Sequence, residues 1–493
     1  MQEIRFKDFS EIDIFPEHLQ KMDYFRENYG LPDRPRIENL GCYIDTSKEG
    51  KVRADRFVGL VPLRDRDDNI MTDYFISVAP RRGNAVSMLE KVMESNQVGD
   101  PAIARLLEPK YMKWNEWKEY DFTGKQSDFL YGIVSDAGEI ELPFSAKSDG
   151  EATALVSDVQ NVFEVAQYLQ QLQEICRRAL KQFSVPIEEN LVGKVKGKID
   201  INKQIRHNLA KGRKDRNYCI YNKMSIDNLE NRVLKYALHL CKKWAAVRGD
   251  IFSEQIFYCD NVLKPVKLVR ITKSTIQGIK CNNAYKDYKN AFDLATRLID
   301  KTDVSFDANG NEQVRIRKVK PFFIRMDLLF ELYCRAVTEK AIDRYNQLIR
   351  SKRPKLRLRN YSNNITYIFE DSGANPKGFQ NENIADLVVE SVDENKPYTI
   401  VMDAKYIPNF NGKGERERTH QLLAYMLLYQ ANACGFMHPT DNPSEKLRKK
   451  AMAHNSTHIG FDMPICEYKS DIEQLAVFFS ELSEEGDIEN GTE

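Results

Sequence analysis

Short apolar runs separated by polar turns dominate the first 150 residues. The run at 57–63 (FVGLVPL) is followed by RDRDDN, and the run at 74–80 (YFISVAP) is followed by RRGN. Brief β-branched and aromatic runs bounded by turn-forming residues are typical of strands. We therefore expect residues 1–150 to form a β-rich N-terminal domain.

Apolar residues then recur at helical spacing. Within 155–182 the recurring positions are Val162, Val165, Leu169, Leu172, Ile175 and Leu180. A second pattern follows Asp227, where Leu229, Val233, Ala237, Leu240 and Trp244 are three or four residues apart. Intervals of three and four predict amphipathic helices, and Asp227 or Asn228 is available as the N-cap of the second. We expect these helices to frame a helical middle domain, residues 151–310.

The last third of the chain alternates between helix and strand patterns. The pattern predicts helices at 322–349, 419–432 and 471–483, and strands at 363–369, 384–391, 398–407 and 458–465. This order indicates a compact α/β domain over residues 311–470, followed by a C-terminal helix and acidic tail at 471–493. Residues 481–493 carry six acids and no base, so we expect them to be unstructured. The fold class is thus expected to be α+β and multidomain.

Composition excludes several classes of protein. The chain has 493 residues, of which 42% are hydrophobic, and no long uncharged apolar segment, which indicates a cytoplasmic protein without a membrane partner. Its nine cysteines lie far apart without a C-x-x-C pair, which argues against structural zinc, an iron–sulfur cluster or a disulfide framework. No G-x-x-x-x-G-K-[ST] motif occurs, so we do not expect a P-loop NTPase.

Charge is balanced overall but uneven along the chain. Lys+Arg and Asp+Glu each number 73. Residues 191–223 nevertheless contain ten Lys/Arg and two acids, and residues 350–359 contain six Lys/Arg and no acid. Such runs are either solvated surface or contacts to phosphate groups, and the sequence leaves both interpretations open.

The strand at 398–407 carries the candidate chemistry. Alternation places Asp403 and Lys405 on one face, and Asp386 lies on the strand expected to pair with it across the VDENKP turn. Two carboxylates and the carbonyl of Ala404 are suitable oxygen ligands for Mg²⁺, while Lys405 is suited to orient a water or offset charge on a phosphodiester. The alternative is an ordinary structural Asp–Lys ion pair.

These residues carry a resemblance to a nuclease superfamily. The segments IADLVVE, VMDAKY and HQLLAYMLLY resemble the PD-(D/E)XK core, and Asp386, Asp403 and Lys405 match its catalytic positions. Gln421 and Tyr425 match the Q-x-x-x-Y element of several branches. The chain departs from the pattern at one point, where Ala385 replaces the proline of the superfamily name.

A further acidic residue matches the same superfamily. Glu331, in LLFELYCRA, corresponds to a position that some members use as an additional metal-site residue. The resemblance therefore implies a site that holds Mg²⁺, or Mn²⁺, through Asp386, Asp403, Ala404 and Glu331.

Upstream segments are similar to a narrower family. KVKGKIDINKQIRHNL (194–209), SIDNLENRVLKYAL (225–238) and ISVAPRRGNAVSMLEKVM (76–93) are similar to McrC, the endonuclease subunit of McrBC modified-DNA restriction systems. This resemblance covers about residues 55–435. It implies a Mg²⁺-dependent endonuclease that cuts double-stranded DNA carrying modified bases such as 5-methylcytosine, in defence against foreign DNA. It also implies a partner, an McrB-like AAA+ GTPase ring, on which residues 1–150 dock and whose hydrolysis they stimulate.

Two other functions stay open from sequence. One is a catalytically silent module that binds DNA and activates an NTPase, and the other is a free-standing DNA repair nuclease. The intact set of Asp386, Asp403 and Lys405 favours a working nuclease over the silent module. The large portion outside the nuclease region argues for a partner over the free-standing enzyme.

Overall fold

The structure is a computed structural model that describes most of the chain. The described residues are 2–7, 11–13, 36–37, 42–45, 51–54, 57–64, 70–80, 82, 85–113, 116, 129–138, 140–141, 151–246, 252–279, 286–306, 312–316, 318–349, 354–363, 365–367, 382–393, 398–407, 415–452 and 455–488.

Strands and helices occur throughout these residues. The strands are β1 Gln2–Lys7, β2 Glu11–Asp13, β3 Arg36–Ile37, β4 Cys42–Asp45, β5 Lys51–Ala54, β6 Phe57–Arg64, β7 Ile70–Ala79, β8 Lys110–Met112, β9 Tyr131–Val134, β10 Ile140–Glu141, β11 Phe183–Val192, β12 Lys198–Ile199, β13 Arg216–Ser225, β14 Thr302–Phe306, β15 Glu312–Ile316, β16 Lys318–Val319, β17 Phe322–Arg325, β18 Leu356–Leu358, β19 Ile365–Tyr367, β20 Glu382–Ile384, β21 Leu387–Ser391, β22 Thr399–Ala404, β23 Ala433–Pro439, β24 Arg448–Met452 and β25 Asn455–Ile465. The α-helices are α1 Ala85–Glu94, α2 Pro101–Leu107, α3 Glu151–Arg178, α4 Ile201–His207, α5 Leu229–Ala246, α6 Ser253–Val262, α7 Lys273–Gln277, α8 Lys286–Lys301, α9 Met326–Leu348, α10 Glu415–Leu428 and α11 Tyr468–Ile488. Short 3₁₀ helices span Asn96–Gly99, Leu209–Lys211 and Tyr361–Asn363. Among these described helices, none has the length and apolar character needed to cross a membrane.

The prediction of an α+β chain is confirmed by this mixture of helices and sheets. The chain forms two compact units, one made of residues 1–162 and 319–493 and the other of residues 163–318. We call them the outer unit and the middle unit. The division into four domains remains a prediction. Its boundary near residue 310 assigns β17 to the C-terminal domain, although β17 pairs with β6 and β9 in the sheet of N-terminal strands.

The N-terminal sheet of the outer unit has the strand order β1-β7-β6-β17-β9-β8. The strands predicted at 57–63 and 74–80 are confirmed as parts of β6 and β7. The prediction that a helix begins at 322 is wrong, because Phe322, Phe323 and Ile324 are buried as a strand between β6 and β9. Gly59 permits that pairing, since a Cβ atom there would lie 2.0 Å from the Phe322 carbonyl oxygen.

The C-terminal sheet of the outer unit has the strand order β18-β21-β22-β23-β25-β24. β21 and β22 are antiparallel with Leu387 opposite Met402, so the predicted pairing of these two strands is confirmed. β22, β23 and β25 run parallel. One face of the sheet packs on α10 through a buried cluster that includes Val388 and Val401. Alternation points Leu387 and Met402 away from this cluster, and α9 contacts β22 and α11.

Several predicted boundaries shift in the C-terminal sheet and its helices. The strand predicted at 384–391 is interrupted, because β20 ends at Ile384 and β21 begins at Leu387. The strand predicted at 398–407 ends at Ala404, so Lys405 follows it. The helices predicted at 419–432 and 471–483 are α10 and α11, each of which begins earlier.

The acidic tail is partly helical, which corrects the expectation that residues 481–493 are unstructured. α11 continues to Ile488, and residues 489–493 lie outside the described part of the chain. Phe478, Phe479 and Leu482 are buried on this helix. Once a packed face has nucleated a helix, each further residue adds a hydrogen bond at low cost, which explains the extension into acidic sequence.

The middle unit contains a sheet that the sequence did not predict. β11 pairs antiparallel with β13 over its whole length, from Phe183 opposite Ser225 to Val192 opposite Arg216, and β12 pairs with the other edge of β13. The middle domain, which the sequence predicts as helical, therefore also contains strands. The predicted helices at 155–182 and after Asp227 are confirmed as α3 and α5.

Polar residues at the start of α5 have structural roles. Asn228 caps the helix, because its Oδ1 accepts from the Asn231 N–H at 2.8 Å. The buried Asn231 amide donates to the carbonyls of Lys181 and Ile226 and accepts from the Tyr288 hydroxyl. Arg232 forms two hydrogen bonds with Asp227 at 2.8 and 3.0 Å. These residues therefore cap, pair and pack the middle unit.

We predict that Asn231→Leu destabilises the middle unit strongly. The substitution removes three hydrogen bonds from a buried site, but the Lys181 and Ile226 carbonyls each keep a bond from Asn228, so the loss should be about 1–3 kcal/mol. Arg232→Gln removes a partly exposed ion pair and should cost about 1 kcal/mol or less. Urea unfolding of the full chain, followed by tryptophan fluorescence, compares the variants, and equal losses would contradict the prediction.

Candidate active site

Two aspartates converge at one end of the β21–β22 pair. Asp403 lies in β22, and Asp386 lies one residue before β21. The Ala404 N–H donates to Asp386 Oδ2 at 2.7 Å, so the carboxylate of Asp386 reaches the end of the neighbouring strand. The structure thus brings together the two carboxylates that the sequence placed on paired strands.

Lys405 lies against the Asp403 carboxylate. Its ammonium forms a close ion pair with Asp403 Oδ2, although Lys405 follows the end of β22. The Asp403 side chain is 2% exposed and that of Lys405 is 27% exposed. The Asp403 Oδ2 atom is buried, and the Lys405 ammonium pairs with it. This carboxylate oxygen therefore relies on the lysine ion pair.

The other oxygen of Asp403 is held by α10. The buried Tyr425 hydroxyl donates to Asp403 Oδ1 at 3.2 Å, and Gln421 Nε2 donates to the same hydroxyl at 2.7 Å. Gln421 and Tyr425 are four residues apart on one face of the helix. They therefore reach the site as a short chain of hydrogen bonds that fixes the orientation of Asp403.

Glu331 adds a third negative group from α9. Burial raises the pKa of Glu331 to about 7, against the opposing charge of Arg335, and Asp403 contributes to the rise. Burial also raises the pKa of Asp386 well above its usual range, and the charges of Asp403 and Glu331 raise it further. For Lys405, burial lowers the pKa, but the attraction of Asp403 and Asp386 outweighs it and the net shift is upward. The site therefore concentrates carboxyl groups, two of which are costly to ionise without a further cation.

Sequence reasoning missed Arg335, which holds the backbone of the site. Its guanidinium is 2% exposed and donates at 2.9 Å to the carbonyls of both Asp386 and Arg359. The ring of Tyr361 lies 5.3 Å from the guanidinium carbon, and the Tyr361 hydroxyl hydrogen-bonds to Glu331. Arg335 is four residues after Glu331, a spacing that puts both on one helix face. Tyr361 lies in a 3₁₀ turn, where no sequence signal marks it.

Tyr429 was also missed. It follows α10, four residues after Tyr425, and its hydroxyl accepts from the Ala385 N–H at 3.1 Å. The rings of Tyr425 and Tyr429 meet edge to face, with centroids 6.0 Å apart. Ala385 stands where the superfamily name has proline, and a proline would have no N–H to satisfy. Tyr429 thereby positions the residue that precedes Asp386.

The oxygen atoms available for a metal ion come mainly from carboxylates. Within the part of the chain that the structure describes, no group of three or more His, Cys, Asp or Glu side chains is placed to hold a metal ion together. Mg²⁺ does not require one, because it commonly binds through one or two carboxylates and keeps several waters. The converging pair of Asp386 and Asp403 fits such an ion.

Comparison with known proteins identifies the family. The profile of the family described as McrBC 5-methylcytosine restriction system component matches residues 52–439, which contain all the candidate site residues. Because this match spans most of the chain, the protein belongs to that family. No curated protein sequence matches the chain.

Two solved structures show weak similarity. One is a refined half-complex from a tetradecameric assembly of Thermococcus gammatolerans McrB AAA+ hexamers with bound McrC, with 13% identity over 98% of this chain and 100% of that chain and a TM-score of 0.37. The other is the Thermococcus gammatolerans McrBC complex, with 12% identity over 69% of this chain and 88% of that chain and a TM-score of 0.26. These scores are too low to support a detailed structural comparison.

We predict that Tyr429→Phe destabilises the protein by about 1–3 kcal/mol, because the buried Ala385 N–H loses its acceptor. Ala385→Pro removes that N–H, and Ile384, which ends β20, has the extended backbone favoured before proline. Added to Tyr429→Phe, the proline should therefore recover part of the loss. Urea unfolding of the single and double variants measures this coupling. A proline that is equally damaging with and without the Tyr429 hydroxyl would contradict the prediction.

We predict that stability without divalent cations falls as pH rises from about 4.5 to about 7. The Glu331 carboxyl keeps its proton up to about pH 7 in the folded chain, whereas the unfolded chain releases it near its usual pKa. The folded state then binds more protons over this interval, so raising the pH favours unfolding. Thermal unfolding in EDTA should show a smaller fall for Glu331→Gln. The exposed Glu473→Gln on α11 serves as control, and equal falls in both variants would refute the assignment.

Proposed function

We propose that this chain is the DNA-cleaving subunit of an McrBC-type restriction system and that its C-terminal sheet is a PD-(D/E)XK nuclease core. The observation that carries the proposal is the meeting of Asp386, Asp403 and Lys405 at the end of two neighbouring strands. The family match supports the biological setting, because it covers this sheet up to residue 439. Gln421 and Tyr425 support the catalytic carboxylate from α10.

The proposed cofactor is Mg²⁺ or Mn²⁺. Asp386, Asp403 and the Ala404 carbonyl would hold the ion, and Glu331 would contribute from α9. The convergence of Asp386 and Asp403 favours a cation at this place. A bound divalent ion stabilises charge on a phosphodiester and makes an attacking water more acidic.

The remaining chemistry is assigned to this chain's own side chains. Lys405 places a positive charge beside Asp403, where it can orient the attacking water and offset negative charge on phosphorus. Hydrolysis forms a new bond from the water oxygen to phosphorus and breaks the bond to the leaving oxygen, which takes up a proton. Arg335 and Tyr429 keep the backbone around Asp386 in position, so they act on the reaction through Asp386.

The proposed macromolecular partners are an McrB-like AAA+ GTPase ring and double-stranded, modified DNA. Family membership supports the existence of a protein partner, because members of this family are described as components of the McrBC restriction system. In the middle unit, Ile201, Ile205 and Leu209 follow one another at intervals of four and are 69%, 51% and 54% exposed. Exposed apolar side chains at such spacing are typical of contact surfaces, and they lie within the basic segment 191–223. Residues 1–150 remain the proposed region that stimulates hydrolysis.

We predict that Asp403→Asn and Lys405→Met abolish cleavage without preventing partner binding. Loss of such a group should lower the rate by about 10²-fold or more, because charge stabilisation in the transition state is lost. The measurement is cleavage of methylated and unmethylated plasmid by the chain co-purified with its AAA+ partner, with Mg²⁺ and either GTP or ATP. Lys446→Met, at an exposed position of the same unit, is the matched control.

The outcomes separate the candidate functions. Nucleotide-dependent cutting of the methylated plasmid alone, lost in both site variants, supports the proposed function. Cutting that persists in either site variant contradicts it. Stimulated GTP hydrolysis without any cleavage points to the silent NTPase-activating module, and cleavage by the isolated chain regardless of nucleotide points to a free-standing nuclease.

A further inference from the structure

A row of cationic side chains follows the edge strand β18 of the C-terminal sheet, with Arg357 inside the strand and Lys355 and Arg359 directly before and after it. Lys355, Arg357 and Arg359 alternate along the chain with Leu356 and Leu358. Leu356 is buried at 4% exposure, whereas the Arg357 side chain is 63% exposed. Because successive strand residues point to opposite faces, the three cations share one face of this strand. We call these three residues the basic row.

The basic row lies on the same sheet face as the catalytic carboxylate. Arg357 is opposite Glu390 in the β18–β21 pair, and Glu390 is opposite Thr399 in the β21–β22 pair. Residues directly opposite in antiparallel strands project to one face, and Asp403 is four residues after Thr399 on the same strand. The basic row and Asp403 therefore project from the same face of the sheet, with the row at its edge and Asp403 buried beside α10.

Arg335 connects this row to the other aspartate. One guanidinium donates both to the Arg359 carbonyl and to the Asp386 carbonyl, each at 2.9 Å. The Arg359 N–H also donates to the Val388 carbonyl at 2.8 Å, two residues after Asp386. The end of the row is thus held beside the Asp386 backbone by buried hydrogen bonds.

Glu390 holds the two arginines without neutralising the row. Arg357 donates to its Oε1 at 2.9 Å, and Arg359 donates to its Oε2 at 2.8 and 3.1 Å. Three cations face one carboxylate, so two positive charges remain in excess. Each guanidinium has five N–H donors, and the Nη1 atoms take no part in these bonds to Glu390. The carboxylate therefore orders two planar donors while leaving some of their donor capacity for another anion.

The excess positive charge of the basic row can attract the phosphates that the neighbouring acidic site repels. Asp386, Asp403 and Glu331 repel the phosphates of a nucleic acid, whereas ordered guanidinium groups attract phosphate and bind it in paired hydrogen bonds. Contacts to phosphate position a nucleic acid without reading its sequence. A basic row beside the carboxylates would hold the backbone of a strand whose scissile phosphate lies at Asp386 and Asp403.

We propose that Lys355, Arg357 and Arg359 form the surface that binds the phosphate backbone of the DNA strand entering the active site. This inference rests on the proposed nuclease function and extends it to the way the substrate is held. The surface supplies affinity that depends on salt and not on base sequence, since its side chains offer charge and donors to phosphates.

The test compares Arg357→Gln with Arg448→Gln. Arg448 lies on β24, the opposite edge strand of the same sheet, and its side chain is 69% exposed, close to the value for Arg357. Binding of the full chain to a short fluorescein-labelled methylated duplex is followed by anisotropy, with Ca²⁺ in place of Mg²⁺. Potassium chloride is varied from about 50 to about 200 mM, the range over which phosphate contacts weaken strongly.

We expect Arg357→Gln to weaken binding severalfold and to reduce the slope of log affinity against log salt by about 0.9, the value for one lost phosphate contact. Arg448→Gln should leave both quantities unchanged. Lys355→Gln, which breaks no ion pair with Glu390, should repeat the effect of Arg357→Gln and so excludes a folding defect as the cause. Equal effects of Arg357→Gln and Arg448→Gln, or no measurable DNA binding by the wild-type chain, overturn the proposal.

A separate cleavage assay distinguishes failure of the proposed nuclease function from failure of the proposed DNA-binding role of the basic row. If the wild-type complex cuts DNA and Arg357→Gln binds DNA as tightly as wild type, the basic row is refuted while the nuclease function stands. If the wild-type complex does not cut DNA but Arg357→Gln weakens DNA binding, the proposed nuclease function is refuted and the DNA-binding role of the basic row stands.

Discussion

The crowding of negative charge at the end of β21 and β22 is the constraint on which the rest of the active-site region depends. Burial raises the pKa of Asp386 and of Glu331, and the neighbouring carboxylates raise both further. Carboxylates in such a place are costly unless cations or donors offset them. Lys405 and Arg335 supply this offset from within the chain.

Elements on both faces of the sheet serve this cluster. α10 orients Asp403 through Tyr425 and Gln421, and Tyr429 holds the residue before Asp386. α9 contributes Glu331 and Arg335 from one helix face, so a single element delivers both an acid and its opposing cation. Buried polar networks of this kind stabilise one arrangement when their members are satisfied, which keeps the carboxylates in place for chemistry.

The elements that could be predicted from sequence are those determined by the local pattern of apolar and polar residues. The pairing of β21 with β22 followed from two apolar runs around a turn, and Asp386, Asp403, Lys405, Gln421 and Tyr425 were located by motif and spacing. The strand at Phe322–Arg325 was missed, because a short apolar run next to a helix has no distinguishing period. The long β11–β13 pair was missed because nearly all of its residues are only half-buried or exposed, so it lacks a buried alternating stripe.

The residues that complete the site were harder to predict because their partners are backbone atoms. Arg335 binds the carbonyls of Asp386 and Arg359, and Tyr429 binds the N–H of Ala385. Nothing in the sequence marks which carbonyl or amide will lie near a given side chain after folding. The spacing of four from Glu331 and from Tyr425 was the available signal, and it indicates a shared helix face without naming the partner.

Binding of Mn²⁺ to the full chain tests the carboxylate cluster most directly. Electron paramagnetic resonance measures free Mn²⁺ during a titration of the wild-type chain, of Asp403→Asn and of the surface control Glu473→Gln. We expect a saturable site in the wild type and in the control that is lost in Asp403→Asn, because that variant removes a charged ligand from the cluster. Equal Mn²⁺ binding by all three proteins, or none by the wild type, would contradict the assignment of a metal-dependent nuclease site.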